Sequence, residues 1–200
     1  MDINRSRTAV LALHWVGDIA SPDGALAEVF FGEAQRRKVI EHARDLFSAA
    51  RSAGVQVIYT KVGFHADYAD LLENAPIYVG TRESGAMRAG SPTAEIISEL
   101  APQGGDVVVN NDRVGGFTNS SLEFELRRRG IDTVLIAGIA TNVTVGTTAR
   151  QASDLGFRVF VVEDCCSSVS QDVHERTLAD MELLIAGAPT AAEVITAIGG

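Results

Sequence analysis

Five short runs dense in Val, Ile and Leu punctuate the chain at Ala9–Leu13, Val55–Thr60, Asp106–Asn110, Thr133–Ala137 and Arg158–Val162. They read as strands buried on both faces, each short and closed by a turn. Segments of helical character separate them, at Glu33–Ala53, Thr93–Leu100, Asn119–Arg129, Val143–Leu155 and Gln171–Met181. A loop-rich stretch spans Val62–Ser91, and a short tail follows Met181. Parallel neighbours need long crossovers, so this alternation predicts an α/β fold, a parallel sheet wrapped by helices. Gly54, Gly130 and Gly156 each follow a helix and precede a strand, where a left-handed terminating residue is expected.

Composition limits what such a sheet can serve. The 200 residues suffice for one core, and no shift in composition divides them, which predicts a single domain over residues 1–200. A net charge of -9 argues against nucleic acid or an anionic membrane, both of which reward clustered Lys and Arg. No apolar run approaches the roughly 20 residues that cross a bilayer. The N-terminal Met-Asp-Ile-Asn-Arg-Ser-Arg lacks the apolar centre of a signal peptide. The two cysteines, Cys165 and Cys166, are sequence neighbours, suited neither to an ordinary disulfide framework nor to a spaced metal motif, and read as packing residues. A cytoplasmic protein is expected. Neither Gly-x-Gly-x-x-Gly after a strand nor Gly-x-x-x-x-Gly-Lys-Ser/Thr occurs, so no dinucleotide or P-loop cofactor is expected.

Chemistry is best placed at residues 138–149, Gly-Ile-Ala-Thr-Asn-Val-Thr-Val-Gly-Thr-Thr-Ala, a tight turn opening into a helix behind the fourth strand. Such a turn presents free backbone N–H groups and the positive end of a helix dipole beyond the carboxyl edge of the sheet. This segment resembles the nucleophile turn of the isochorismatase-like cysteine hydrolases, worded close to Gly-Val-Ala-Thr-x-x-Cys-Val. Three further stretches resemble the family in order: Ala-Val-Leu-Ala-Leu-His-Trp-Val-Gly-Asp-Ile at 9–19, Asp-Val-Val-Val-Asn-Asn-Asp-Arg-Val-Gly-Gly-Phe at 106–117, and Gly-Phe-Arg-Val-Phe-Val-Val-Glu-Asp-Cys-Cys-Ser at 156–167, followed by His174. The resemblance implies a three-layer α/β/α sandwich with a mostly parallel central sheet. It also implies a homo-oligomer, dimer or tetramer, with the 62–91 stretch helping to close the pocket.

The family's hydrolases work with an Asp after the first strand, a Lys after the third and a Cys in the turn. By position those residues are His14, Asn111 and Thr144 here, which marks a divergent member whose Cys-Asp-Lys mechanism does not carry over. The replacements still make a chemical set. A Thr hydroxyl needs a base within hydrogen-bond reach, a His supplies one at neutral pH, and an Asn can orient the imidazole. The resemblance assigns the oxyanion to the backbone of Ala140 and Thr144, in a turn where the bond before Ala is often cis. Arg113 is a candidate for a substrate carboxylate or a cover for the strand end, and Trp15, Phe64 and Phe117 are candidates for an aromatic wall. Nicotinamidase-like members carry an Asp-x-His metal motif, whereas Lys61-Val62-Gly63-Phe64-His65 offers one His without an acid, so no metal is expected. His42 and His174 read as surface or capping residues, and Arg127-Arg128-Arg129 as a solvated helix end.

Three functions fit these residues. One is hydrolysis of an amide, ester or related C–N or C–O bond of a small metabolite through Thr144. A second is a silent ligand-binding or scaffold protein. A third is cleavage of a vinyl ether with protonated His14 as general acid and no covalent intermediate.

Overall fold

The computed structural model describes residues 1–199. Its strands are β1 (Thr8–Leu13), β2 (Gln56–Val62), β3 (Val107–Asn111), β4 (Thr133–Ile139) and β5 (Arg158–Ser167). They form one sheet in the order β3-β2-β1-β4-β5, with every pairing parallel. The chain builds outward from β1 through β2 to β3, then returns to the other side of β1 for β4 and β5. The switch lies between β1 and β4, where an open α/β sheet leaves a crevice beyond its carboxyl ends.

Period-2 geometry sorts the strand residues into two cores. Val10, Ala12, Val57, Tyr59, Leu135 and Ala137 face helix α3 (Val39–Ser52), which contributes Ala43, Leu46, Phe47 and Ala50, and helix α8 (Ala191–Gly199), which contributes Val194 and Ile198. Ala9, Leu11, Leu13, Ile58, Val134 and Ile136 face α5 (Leu122–Arg127) through Leu122 and Leu126, and α6 (Gly146–Asp154) through Ala149 and Ala152. Helix α7 (Gln171–Asp180) adds Leu178 to this second layer. Helices α1 (Gly17–Ala20), α2 (Ala27–Arg36) and α4 (Pro76–Ser84) gather over the carboxyl end of the sheet around the crevice, where each contributes to its wall.

Several expected boundaries move. The segment Glu33–Ala53 is two helices, because Lys38 takes a left-handed conformation (φ 54°) between α2 and α3. That break turns Arg37 onto the end of β5, a tertiary interaction no local propensity announces. Thr93–Leu100 holds only two 3₁₀ turns, Pro92–Ala94 and Ser98–Leu100. The stretch Val62–Ser91 contains α4, started by Pro76 at a position that needs no N–H and ended by Gly85. The tail after Met181 contains α8, apolar enough to pack on α3. β5 runs to Ser167, longer than the expected Val162, with a register shift opposite Ile136–Gly138.

Candidate active site

His14 closes β1. Its N–H continues the ladder to Thr60 O (3.0 Å), and its backbone then turns left-handed (φ 56°), a conformation that His tolerates better than most residues. The turn aims the imidazole across the switch point toward the end of β4. Close approach of the two strands makes this possible. A Cβ on Gly138 would sit 2.6 Å from Leu13 O and 2.8 Å from Leu13 Cβ, so only glycine lets β4 lie against the residue preceding His14.

Beyond β4, the Ile139–Ala140 peptide bond is cis. Residues Thr141–Val145 then form one wide π-helical turn, in which Val145 N–H reaches Ala140 O at 3.1 Å, before α6 begins at Gly146. Thr144 lies in this turn with its side chain buried.

Three sequence-expected residues meet. Thr144 Oγ1 lies 2.9 Å from His14 Nδ1, and His14 Nε2 lies 3.2 Å from Asn111 Oδ1. The orientation of Asn111 fixes the tautomer. Its Nδ2 donates to the carbonyls of Arg113 (2.7 Å) and Gly115 (3.3 Å), so Oδ1 faces the imidazole as an acceptor. His14 must therefore carry its hydrogen on Nε2, which leaves the Nδ1 lone pair to accept the Thr144 hydroxyl hydrogen. Burial lowers the His14 pKa from 6.5 to about 4, against the smaller raising effect of the Asn111 hydrogen bond. The imidazole is a neutral base at pH 7, and a protonated His14 acting as general acid is disfavoured there.

His14 and Thr144 open onto a cavity of ≈ 250 Å³, with Asn111 behind the imidazole. Its wall is nearly all apolar: Ile19, Leu26, Phe30 and Val62 with Ile77, Met87, Val114 and Val143. Ala140, Arg113 and Phe64 line it as expected. The Arg113 guanidinium lies over the Tyr78 ring at 5.2 Å and donates to Asp112 O, with no carboxylate partner among the described residues. Asp18, fully enclosed, accepts the Met87 N–H (2.6 Å) and the Ala25 N–H (3.3 Å), which pins two stretches of the wall to α1.

Two expected wall residues lie elsewhere. Trp15 lies in the same core cluster as Phe64, but it sits edge-on to Phe47 of α3 and does not line the cavity. Phe117 stacks on Phe157 (centroids 5.9 Å) against the other face. Their places in the cavity are taken by Phe30 and Tyr78, whose helices α2 and α4 gave little sequence signal. His174 also departs from expectation: it is 1% exposed, with Nδ1 on Thr141 Oγ1 at 2.8 Å. Cys165 and Cys166 are buried, and neither lines the cavity; burial pushes the Cys165 thiol up and that of Cys166 to about 12. No cluster of His, Cys, Asp and Glu suited to a metal ion occurs among the described residues.

Residues 8–198 match the model of the isochorismatase domain. The chain belongs to the isochorismatase family. It is 31% identical over 204 residues to the ureidoacrylate amidohydrolase RutB of Caulobacter segnis, covering 96% of this chain and 85% of that one. It is 32% identical over 169 residues to the isochorismatase family protein YecD of Escherichia coli O157:H7, covering 80% and 84%. Among solved structures, the cysteine hydrolase from Pseudomonas syringae pv. phaseolicola 1448A superposes with a TM-score of 0.89 at 28% identity, covering 100% of this chain and 95% of that one. Within this family fold, the chain presents a hydroxyl, an imidazole and an amide at the crevice, and its two thiols face the interior instead.

Proposed function

We propose that this isochorismatase-family chain is a hydrolase that cleaves an amide or ester bond of a small molecule through an acyl-threonine intermediate. The contact between His14 Nδ1 and Thr144 Oγ1 at 2.9 Å carries the reading, because it joins a nucleophile to the lone pair of a neutral base. As Thr144 Oγ1 bonds to the carbonyl carbon, its hydrogen passes to His14 Nδ1. The imidazolium keeps its Nε2–H on Asn111 Oδ1, then returns the Nδ1 proton to the departing amine or alcohol as the C–N or C–O bond breaks. Water repeats the sequence in reverse and frees the acid. The oxyanion falls to the backbone N–H groups of Ala140 and Thr144, at the start of a helix whose dipole favours negative charge. The amidohydrolase among the relatives supports the choice of bond.

The cavity shapes the substrate. An apolar hollow of 150 Å³ holds benzene, so ≈ 250 Å³ accommodates about ten non-hydrogen atoms. The body of the substrate is apolar, and the unpaired Arg113 receives a carboxylate at one end. Val29 and Ile77 line the cavity yet remain 48% and 42% exposed, which supports assembly of the chain with further copies that cover this rim. No metal and no cofactor enters the scheme.

Purified protein assayed against small amides and activated esters tests the reading. Thr144→Ala and His14→Ala are each expected to lower kcat/KM by at least about 10³-fold. Unchanged turnover in both variants contradicts it.

A further inference from the structure

The turn that carries Thr144 is held from its other side by a second buried histidine. Thr141, the first residue of the turn, is fully buried, and its hydroxyl hydrogen goes to the backbone carbonyl of Ser167 at the end of β5 (3.0 Å). A carbonyl only accepts, so the same hydroxyl must accept from the His174 ring. His174 Nδ1 lies 2.8 Å from Thr141 Oγ1 and therefore carries the hydrogen. The lone pair is left on Nε2, which meets Arg37 Nη2 at 3.1 Å; Glu163 Oε2, at 3.7 Å, is beyond hydrogen-bond range of that nitrogen. Arg37 is itself fixed, donating to Cys166 O, Gln171 Oε1, Glu163 O and Glu163 Oε2, the last two sharing the two N–H of Nη2 with His174.

Every link in this chain has one direction: Arg37 to His174, His174 to Thr141, Thr141 to Ser167. It begins on a charged donor held by four further acceptors, passes through Thr141, three residues before Thr144, and ends on the Ser167 carbonyl. His14 and His174 thus flank the turn as opposite tautomers, the first with its lone pair on Nδ1 and the second on Nε2. We propose that His174 is a positioning residue, which acts through the Thr141 hydroxyl to hold Thr144 Oγ1 at hydrogen-bond distance from His14.

Two substitutions separate this role from simple packing. His174→Asn keeps an N–H near the place of Nδ1 and can still serve Thr141. His174→Gln carries its amide to the place of Nε2, within reach of Arg37, and leaves Thr141 without a donor. With melting temperatures of both variants near that of the parent, kcat of His174→Asn is expected within about threefold of the parent. That of His174→Gln is expected to fall about tenfold or more at unchanged KM, as for a displaced reacting group. Thr141→Val should behave as His174→Gln does, and Thr141→Ser should restore the parent rate.

The kinetic arm rests on the hydrolase reading, but the ¹⁵N resonance of His14 Nδ1 can be followed in the resting protein. It should move toward that of an imine nitrogen without a donor in His174→Gln and stay in place in His174→Asn. A parent protein without turnover would sink the hydrolase reading and leave this resonance test standing. Identical His14 resonances in the two variants, or a folded His174→Asn as impaired as His174→Gln, overturns the proposal.

Discussion

Protonation of His14 separates the chemical readings most cleanly. A buried imidazole with a pKa of about 4 is already in its basic form at pH 5, so kcat/KM of the free enzyme should stay level from pH 8 to 5 and fall only near pH 4. A general-acid role predicts activity that rises through the same range. Stability follows the same group. Between pH 6.5 and 4 the unfolded chain binds a proton that the native imidazole refuses, so the stability present above pH 6.5 drains away as pH falls. The His14 contribution amounts to as much as about 3 kcal/mol. Melting curves at pH 7 and 4.5 should therefore lie closer together in His14→Asn than in the parent. The pocket can also be probed without any substrate. Thr144→Cys places a thiol against His14 Nδ1, and this thiol should be alkylated by iodoacetamide in the native protein while Cys165 and Cys166 stay unmodified. Modification of the parent protein at either native cysteine under the same conditions contradicts the buried placement.

Strand ends and the turns behind them do the positioning, and the important positions at this scale are glycine and aspartate. A methyl group on Gly138 has no room against Leu13, so Gly138→Ala should push β1 and β4 apart where His14 leaves the sheet. Overpacking of this kind costs about 1–3 kcal/mol, and here a loss of kcat should accompany the lower melting temperature. Asp18→Ala strands the N–H groups of Met87 and Ala25 at a cost of about 1–3 kcal/mol, and it frees the Met87 wall of the cavity. KM should rise more than kcat falls. At this scale the sequence was legible where hydrophobic runs and glycine stops speak locally. All five strands and the turn at 138–149 lie close to where the sequence places them, and His14, Asn111 and Thr144 converge as the pattern of strand exits implies. The break at Lys38 was not legible, since a left-handed lysine is stabilised by what Arg37 reaches across the fold. Helix α4 was hidden in a stretch that reads as loop, with Pro76 as the one usable sign of its start. His174 reads as a surface or capping residue in the sequence because its partners, Thr141 and Arg37, lie 33 and 137 positions away.

Across the whole molecule, the sheet order explains why residues so distant in sequence form one site. His14, Asn111 and Thr144 leave three different strands at the same edge, with the switch between β1 and β4 holding the space that they enclose. Family membership is consistent with that geometry. The aromatic residues show where sequence reading reaches its limit. Trp15 and Phe64 both sit beside strand ends and belong to one core cluster, yet only Phe64 lines the cavity, because Trp15 is taken up against Phe47 of α3. Rim exposure of Val29 and Ile77 belongs to the same scale. Light scattering should report a homo-oligomer, and Ile77→Lys should weaken it; a clean monomer in the parent contradicts that assembly.

Activation of Thr144 by His14, as proposed, would carry the acyl group covalently on Thr144. Brief reaction with an activated ester of a short apolar acid, quenched in acid and followed by peptide mass mapping, tests it most directly. One acyl group is expected on the peptide that contains Thr144 in the parent protein and none on it in His14→Ala. Turnover in the parent with no acylated Thr144, or equal acylation of Thr144 in the two proteins, contradicts it.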